Sequence, residues 1–574
     1  MRNKLWIPGM LVLALLIVCG CASAEGGWRE AELPVWRGEP TEETAVLRYF
    51  DDAPEIPCIG FTAYCRLVLG ENMTCVPGDE GCAVLRAASG ALAVADPARG
   101  TLTVPDWPSF RNDLTPAREG RQGSFLDGGA GFVRVASVVY EGDPKPVCFD
   151  LARYGLPLHT DGDEVWMPLS VTASMMTDVS IRYAVTNGRA VYVMAYESPL
   201  SVDPYYFDTP YFNGGVRSEA LAEAAYGELC FAMDYLYGCP GVIPIEEDLR
   251  ARGFDAALSA AGEEGARVRE LLHAASFSEY LSGANLLSTR LTMDGHSFLG
   301  HSLDLFQGEM YMRRRELMMD VLASYTDLIS ALRARYHYDV KAVLERRRRE
   351  AWGPGARHIF GDTLVLTLPD FNVDTEAWQA YYAGRAPLPE DSVGLTARAL
   401  EEAASHPEIR HFVFDVSTNG GGYDDALAAI IALATGSLTQ PGEDVLSGQP
   451  FRITYEVDRN FDGVFDKRDA EVRYDFDYAV LTSRVSFSCG NLFPVLMRHE
   501  GARILGEPSG GGGCVIAKCF SSEGLDFTIS SHMWRFRDTD GGLVEDGAPV
   551  DVAFSAEDAD FYDLSHFRAL PDAA

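Results

Sequence analysis

The sequence predicts an α+β multidomain protein whose C-terminal part is an α/β unit, and three observations carry that prediction. The chain has 574 residues, enough for roughly three or four folding units at ~150 residues each. Its periodicity changes twice: short strand-like runs to about residue 200, helical spacing from 216 to about 350, then alternating strands and helices over 351–560. Hydrophobic residues are 47% and charged residues 23%, a balance that supports a packed core. The 84 acidic residues against 48 basic ones give a net charge of −36. A field of that sign repels phosphates, so a general nucleic-acid-binding role is disfavoured. Beyond the N-terminus no run of apolar residues is long enough to span a bilayer. An enzyme or a binding protein is left.

Residues 1–24 form a signal peptide. Arg2 and Lys4 supply the charged start, Leu11 to Val18 the apolar stretch, and small residues follow. Val18-Cys19-Gly20-Cys21 resembles a bacterial lipobox, which implies lipidation at Cys21 and a mature protein held on the outer side of the cell membrane. Cleavage after Ala22-Ser23-Ala24, giving a freely secreted protein, is the alternative. Residues 25–43 are then a polar linker. In an exported chain disulfides are allowed, and Cys58, Cys65, Cys75 and Cys82 are close enough in sequence for one or two. No pair there has CxxC spacing and no histidine is near, which argues against zinc.

Two strand-rich modules come next, 44–135 and 136–205. Ile56-Pro57-Cys58-Ile59 through Thr101-Leu102-Thr103-Val104 is echoed by Val165-Trp166-Met167-Pro168-Leu169 through Val191-Tyr192-Val193. Each stretch places a strand and a proline before a short helix, then strands joined by a turn. They resemble the copper amine oxidase N-terminal-domain-like family. Copper is not implied, because no histidine cluster is present, and a spacer or attachment role fits.

Residues 216–350 read as a helical segment, with Leu, Ala, Tyr and Phe at helical spacing in 218–238, 246–261, 268–287 and 309–349. Arg313 to Arg315 and Arg346 to Arg349 fit a solvated face paired with acidic neighbours, an anionic partner being the alternative. Over 351–560 strands are expected at 358–369, 411–416, 478–483 and 502–507. Helices are expected at 392–405, 424–434 and 490–500. A βα layout of this kind leaves the loops at strand ends free for chemistry.

Three loops stand out. Asp415-Val416-Ser417-Thr418-Asn419-Gly420-Gly421-Gly422 joins a strand to a helix, where glycines let backbone N–H groups approach an oxyanion. It lacks the Lys-Ser/Thr ending of a nucleotide-binding loop. Ser486-Phe487-Ser488-Cys489-Gly490-Asn491 is a strand-to-helix turn that can expose a serine Oγ beside the next residue's N–H, although a helix-capping serine has the same sequence. Asp294-Gly295-His296-Ser297 puts a histidine in a turn that can reach a cleft, with His301 close behind.

Together with Gly361-Asp362-Thr363, Gly506-Glu507-Pro508-Ser509-Gly510-Gly511 and Gly547-Ala548-Pro549-Val550-Asp551, these loops resemble the tail-specific, or C-terminal processing, serine peptidase family over about 216–555. The resemblance implies a crotonase/ClpP-like spiral domain, hydrolysis of peptide or protein substrates, and no catalytic cofactor. Members with a Ser–Lys dyad carry lysine just after the Gly-Glu-Pro strand. In this chain that stretch is Gly510 to Gly513, and Lys518 is the nearest lysine. The missing lysine resembles the tricorn-type branch, which pairs serine with histidine and an orienting glutamate. Ser488 is then the nucleophile and His296 the base, with Glu545 (or Asp546) holding the imidazole. Gly421 and Cys489 amides would form the oxyanion hole. No PDZ-like segment is evident between His296 and Gly361.

Asp458, Asn460, Asp462, Val464, Asp466 and Asp469 have the spacing of a calcium loop, with Gly463 at its sharp turn. It resembles an EF-hand or dockerin-type loop ending in Asp rather than Glu, flanked by strands. A structural Ca2+ or an acidic hairpin tip is expected. The reading is an exported, lipid-anchored serine peptidase with no nucleic-acid partner. Its rival is a non-catalytic surface protein that binds peptides or cell-wall components. A glycosidase would need paired carboxylates in a cleft, and none is singled out.

Overall fold

The computed structural model describes residues 27–70, 73–114, 130–177, 182–195, 211, 214–239, 241–299, 315–563 and 566. Cys21, the signal peptide and His301 lie outside the described residues. The architecture is mixed α/β and multidomain, with four sheets.

The sheet that positions the chemistry has six strands in sequence order: Arg357–Phe360, Thr363–Thr367, His411–Asp415, Asp477–Thr482, Arg503–Gly506 and Val552–Ala553. Only the first pair is antiparallel. Its central strands are apolar throughout, as a sheet covered on both faces requires. The helices Ser392–Ser405, Asp424–Thr435 and Cys489–His499 bury one face with Leu364, Phe412, Phe414 and Val480. Leu344 and Trp352 of the Tyr338–Trp352 helix cover the other, against Val365, Val413 and Leu481.

An antiparallel five-stranded sheet runs Cys514–Phe520, Asp526–Phe536, Leu438–Asp444, Gln449–Val457, Val133–Tyr140. The long strand Asp526–Phe536 spans two cores. Phe527 and Ile529 pack with the N-terminal sheets and the helices of 219–290, whereas Met533, Trp534 and Phe536 pack with the six-stranded domain. Among the described residues the helices between Glu219 and Trp352 include the long pair Phe277–Arg290 and Arg315–Arg335. Among the described residues no helix is long and apolar enough to cross a membrane.

Three sequence expectations are corrected. Residues 25–43 are not a linker: Trp28–Trp36 pairs antiparallel with Pro40–Phe50 inside a seven-stranded sheet, with Leu33 and Val35 buried. The alternation that makes that strand is only two buried positions long, too brief to stand out in the sequence. Nor are 44–135 and 136–205 separate modules. His159–Thr160, Val165–Pro168, Arg182–Thr186 and Val191–Ala195 complete the sheet begun by Trp28–Gly60, and Val133–Tyr140 joins Gln449–Val457. Finally, no disulfide joins Cys58, Cys65, Cys75 or Cys82. Cys58 faces a small cluster with Phe50 and Trp166, while Cys65 enters the main N-terminal core. Cys75 stands opposite Leu85, so neighbours in sequence do not face one another.

Candidate active site

Two loops at the C-terminal ends of adjacent parallel strands meet at Ser488. The Asp415–Gly422 loop leaves strand His411–Asp415, and its first residues are tied down by charge. Asp415 is fully buried; it accepts from Thr367 Oγ1 at 3.0 Å and from the Ser417 N–H at 3.1 Å. Arg348 reaches the same loop from the Tyr338–Trp352 helix, donating to Thr418 Oγ1 at 3.0 Å. Asn419 then acts as a spacer: its amide donates to the Leu368 carbonyl, and its Oδ1 accepts from the Gly421 N–H at 2.8 Å.

The Ser488 turn leaves strand Asp477–Thr482 and is fastened to the first loop. Ser483 and Ser486 hydroxyls donate to the Ser417 and Val416 carbonyls, and Phe487 N–H donates to Asn419 O. Ser488 caps the helix Cys489–His499 with φ 55 and ψ −123, a conformation that costs a non-glycine residue ~1–3 kcal/mol and marks a strained, exposed nucleophile turn. Ser488 itself is half-buried, and its N–H donates to Gly511 O at 2.9 Å. Gly421 must be glycine, since a Cβ there would lie 2.7 Å from Ser488 Cβ.

His296 arrives from a third region. Asp294, buried, accepts from the His296 N–H at 2.8 Å and the Ser297 N–H at 2.6 Å; its other oxygen accepts from the Ser297 and Ser530 hydroxyls. Ser530 sits on the strand that spans both cores, so the histidine turn is hung on that strand. Gly295, at φ 102, lets the turn lie against Phe487; a Cβ would come within 2.6 Å of the ring. The imidazole itself packs on Phe487, centroids 4.9 Å apart. Burial pushes its pKa down to about 4; Asp294 opposes the shift and Arg335 adds to it. At neutral pH it is therefore an uncharged base.

His296 and Ser488 line one cavity of about 590 Å³, together with Gly420, Gly422, Phe487 and the apolar side chains Ile329, Leu332, Val485 and Ile516. No hydrogen bond joins Ser488 Oγ to the imidazole. Lys341, Arg333, Tyr336 and Tyr338 also line it. A second cavity of similar volume, beside Tyr154, Tyr226 and Asp234, holds neither serine nor histidine among its lining residues.

The remaining candidates separate cleanly. Cys489 is the first residue of its helix, where backbone N–H groups lack intrahelical acceptors; its thiol is buried, which pushes its pKa up. The Gly421 N–H is already taken by Asn419, and the cavity is lined instead by Gly420 and Gly422. Glu545 does not hold the imidazole. Its two oxygens accept from the Gly512 and Gly513 N–H groups at 2.8 and 2.7 Å, bracing the loop whose Gly511 carbonyl receives Ser488. Lys518 pairs with Asp526 at 3.5 Å and lies outside the cavity. Asp546, the alternative to Glu545, makes no hydrogen bond or ion pair with the ring.

Sequence reasoning missed Arg335 and the glycine run 510–513. The Arg335 guanidinium donates to the carbonyls of Asp294 and Gly510 and stacks over Phe487 at 4.7 Å, clamping the histidine turn to the serine turn. An arginine in a long helix gives no local signal of such a role. The glycine run was legible as a departure from a lysine motif, but not as the support under Ser488.

In the acidic loop, side-chain oxygens serve the loop's own backbone. Asp458 accepts from the Asp462 and Gly463 N–H groups, Asn460 from Asp462, Asp462 from Val464, and Asp469 from Arg459 and Asp466. Tyr382 adds a hydroxyl to Asp458, whose burial pushes its pKa up to about 6. No three of the loop's carboxylates converge within 4.8 Å among the described residues. The loop is arranged as a self-capped turn.

Residues 363–553 match the model of peptidase family S41. No curated protein matches the chain. Among solved structures it is similar to the photosystem II D1 C-terminal processing protease, with 19% identity over 39% of this chain and 50% of that one at a TM-score of 0.26. Mature CPAF aligns with 15% identity over 36% and 49%, TM-score 0.25. A lipoprotein from Streptococcus agalactiae aligns with 16% identity over 43% and 85%, TM-score 0.25. The chain spans about half the length of the first two. The family match supports a serine peptidase hydrolase.

Proposed function

We propose that the chain is a serine peptidase in which Ser488 attacks the peptide carbonyl and His296, in place of the family lysine, takes the serine proton and returns it to the leaving amine. The observation that carries this reading is the strained Ser488 turn, whose serine lines the same cavity as the His296 ring. Serine is a weak nucleophile near neutral pH and needs a base, and a neutral imidazole is the only basic nitrogen of that kind lining the cavity. Cys489 N–H, with Gly420 or Gly422 N–H, would meet the developing oxyanion, each such donor contributing about 3 kcal/mol. Substrate approach must bring Ser488 Oγ and the imidazole into hydrogen bonding, since catalytic contacts commonly tighten only on binding. The apolar lining suits a peptide with an apolar side chain next to the scissile bond.

In this reading Glu545 is a positioning residue for the Gly511–Gly513 backbone, and the histidine-paired site aligns the chain with the tricorn-type branch. The consecutive parallel strand order is consistent with a ClpP-like spiral. Residues 1–24 suggest export and a lipid anchor at Cys21, so the substrates are peptides or proteins met outside the cytoplasm. Calcium suits the oxygen spacing of 458–469 in a structural role; a thermal midpoint unmoved by millimolar calcium would refute it. Peptide hydrolysis by the intact chain, lost in both Ser488→Ala and His296→Ala, is the expected result. Full activity in His296→Ala would transfer the base role elsewhere, full activity in Ser488→Ala would remove Ser488 as the nucleophile, and no hydrolysis by the intact chain would leave the rival reading, a binding protein on a peptidase scaffold.

A further inference from the structure

We propose that Cys239, Cys514 and Glu545 form a zinc site behind the glycine loop that supports Ser488. One ligand atom from each lies within 4.8 Å of the other two, and among the described residues this is the only such group of three histidine, cysteine or acidic side chains. Both cysteines are buried and free. Three distant stretches of chain build the group. Cys239 follows Gly238, whose N–H donates to Ser530 O and which lies so close to Ser531 that a Cβ would overlap its carbonyl. Cys514 opens the strand Cys514–Phe520 in register with Arg535. Arg535 in turn donates to Gly238 O at 3.2 Å, tying the two cysteine-bearing segments to one strand. Glu545 is fixed by its bonds to Gly512 and Gly513.

The donor set decides the ion. Two thiolates and a carboxylate are soft-to-borderline ligands that suit Zn2+ rather than calcium or magnesium. Tetrahedral zinc, with Zn–S of about 2.3 Å and Zn–O of about 2.0–2.2 Å, needs ligand atoms roughly 3.4–3.8 Å apart, within the spacing observed. Three protein ligands leave the fourth position to water. Each Glu545 oxygen has lone pairs beyond the one that accepts a glycine N–H, so coordination need not dismantle the loop. Cysteine ligates zinc as the thiolate, so binding of Zn2+ to the thiol forms must release two protons as two Zn–S bonds form. The arrangement escaped sequence reading because no two of its members share a metal-binding spacing.

The site is not catalytic. It would set how firmly Glu545 and Cys514 hold Gly511–Gly513, and through the Gly511 carbonyl the Ser488 turn. Only that consequence rests on the peptidase reading; zinc uptake does not.

The test is titration of the reduced full-length chain with zinc chloride, by calorimetry in two buffers of different ionisation enthalpy. One zinc per chain with release of two protons is expected, together with loss of affinity by at least the ~100-fold typical of damaged metal sites in Cys239→Ser and in Cys514→Ser. Cys148→Ser, which removes an exposed thiol, should bind as the unsubstituted chain does. Protection of Cys239 and Cys514 from alkylation by zinc, mapped by mass in the unsubstituted chain, needs no variant to fold. Absence of zinc uptake, equal binding by Cys239→Ser, or recovery of the two cysteines as a disulfide in the protein as isolated would overturn the proposal. Zinc uptake without peptidase activity would refute the peptidase reading and leave the site standing.

Discussion

The Ser488 turn and the 458–469 loop are both polar, glycine-containing and attached to strands, yet they handle hydrogen bonds in opposite ways. In the acidic loop almost every side-chain oxygen turns back onto the loop's own N–H groups. At Ser488 local bonds such as Ser483 N–H to Ser486 Oγ are joined by bonds to distant chain: Ser483 and Ser486 to the 416–417 backbone, Phe487 to Asn419, Ser488 N–H to Gly511. Those external ties hold a backbone conformation that the turn alone would not keep, and leave Ser488 lining a cavity. A loop that satisfies itself is a structural element. One that other segments hold unsatisfied is built to meet a ligand.

The sharpest way to break this contrast is to remove the exposed hydroxyl. Ser488→Ala should lower kcat by on the order of 10,000-fold or more while moving the thermal midpoint by no more than a few degrees; comparable losses of activity and stability would make Ser488 a structural cap. Next, Gly421→Ala forces a methyl against Ser488 at 2.7 Å. A displaced nucleophile should cost about 100-fold in kcat, read against an unchanged circular dichroism spectrum.

Asp458→Ala should act in the other direction. It strands the Gly463 N–H and the Tyr382 hydroxyl, so about 1–3 kcal/mol of stability is expected to be lost, measured by denaturant unfolding, with kcat intact. A fall in kcat would mean that the two regions are coupled. The smallest effect concerns pH. Burial lowers the His296 pKa to about 4, so the neutral base persists as pH falls, and the acid limb of kcat/KM should lie near 4 rather than at the ordinary ~6.5. A limb at the ordinary value would place the working imidazole in water.

Local features of the chain were legible, and long-range ones were not. Apolar runs with flanking turn residues located the strand His411–Asp415 and the helix Cys489–His499 within a residue or two. Ser488, Cys489 and His296 were readable because turn chemistry is local. Strand partners are not: nothing near Val133 announces that it pairs with Val457, and the brief alternation at Leu33 and Val35 concealed an interior strand. Glu545 was found from its place before the Gly-Ala-Pro-Val-Asp motif, but only three-dimensional packing shows that it faces glycine amides and two thiols instead of the imidazole. Four nearby cysteines suggested bridges, whereas the pair that meets, Cys239 and Cys514, is far apart in sequence.

Mapping the adduct left by a fluorophosphonate on the intact protein tests the pairing of serine with histidine most directly. A single modified peptide carrying Ser488, formed at a rate that collapses in His296→Ala, is the predicted result. Modification elsewhere, or undiminished labelling of Ser488 without the imidazole, would contradict it.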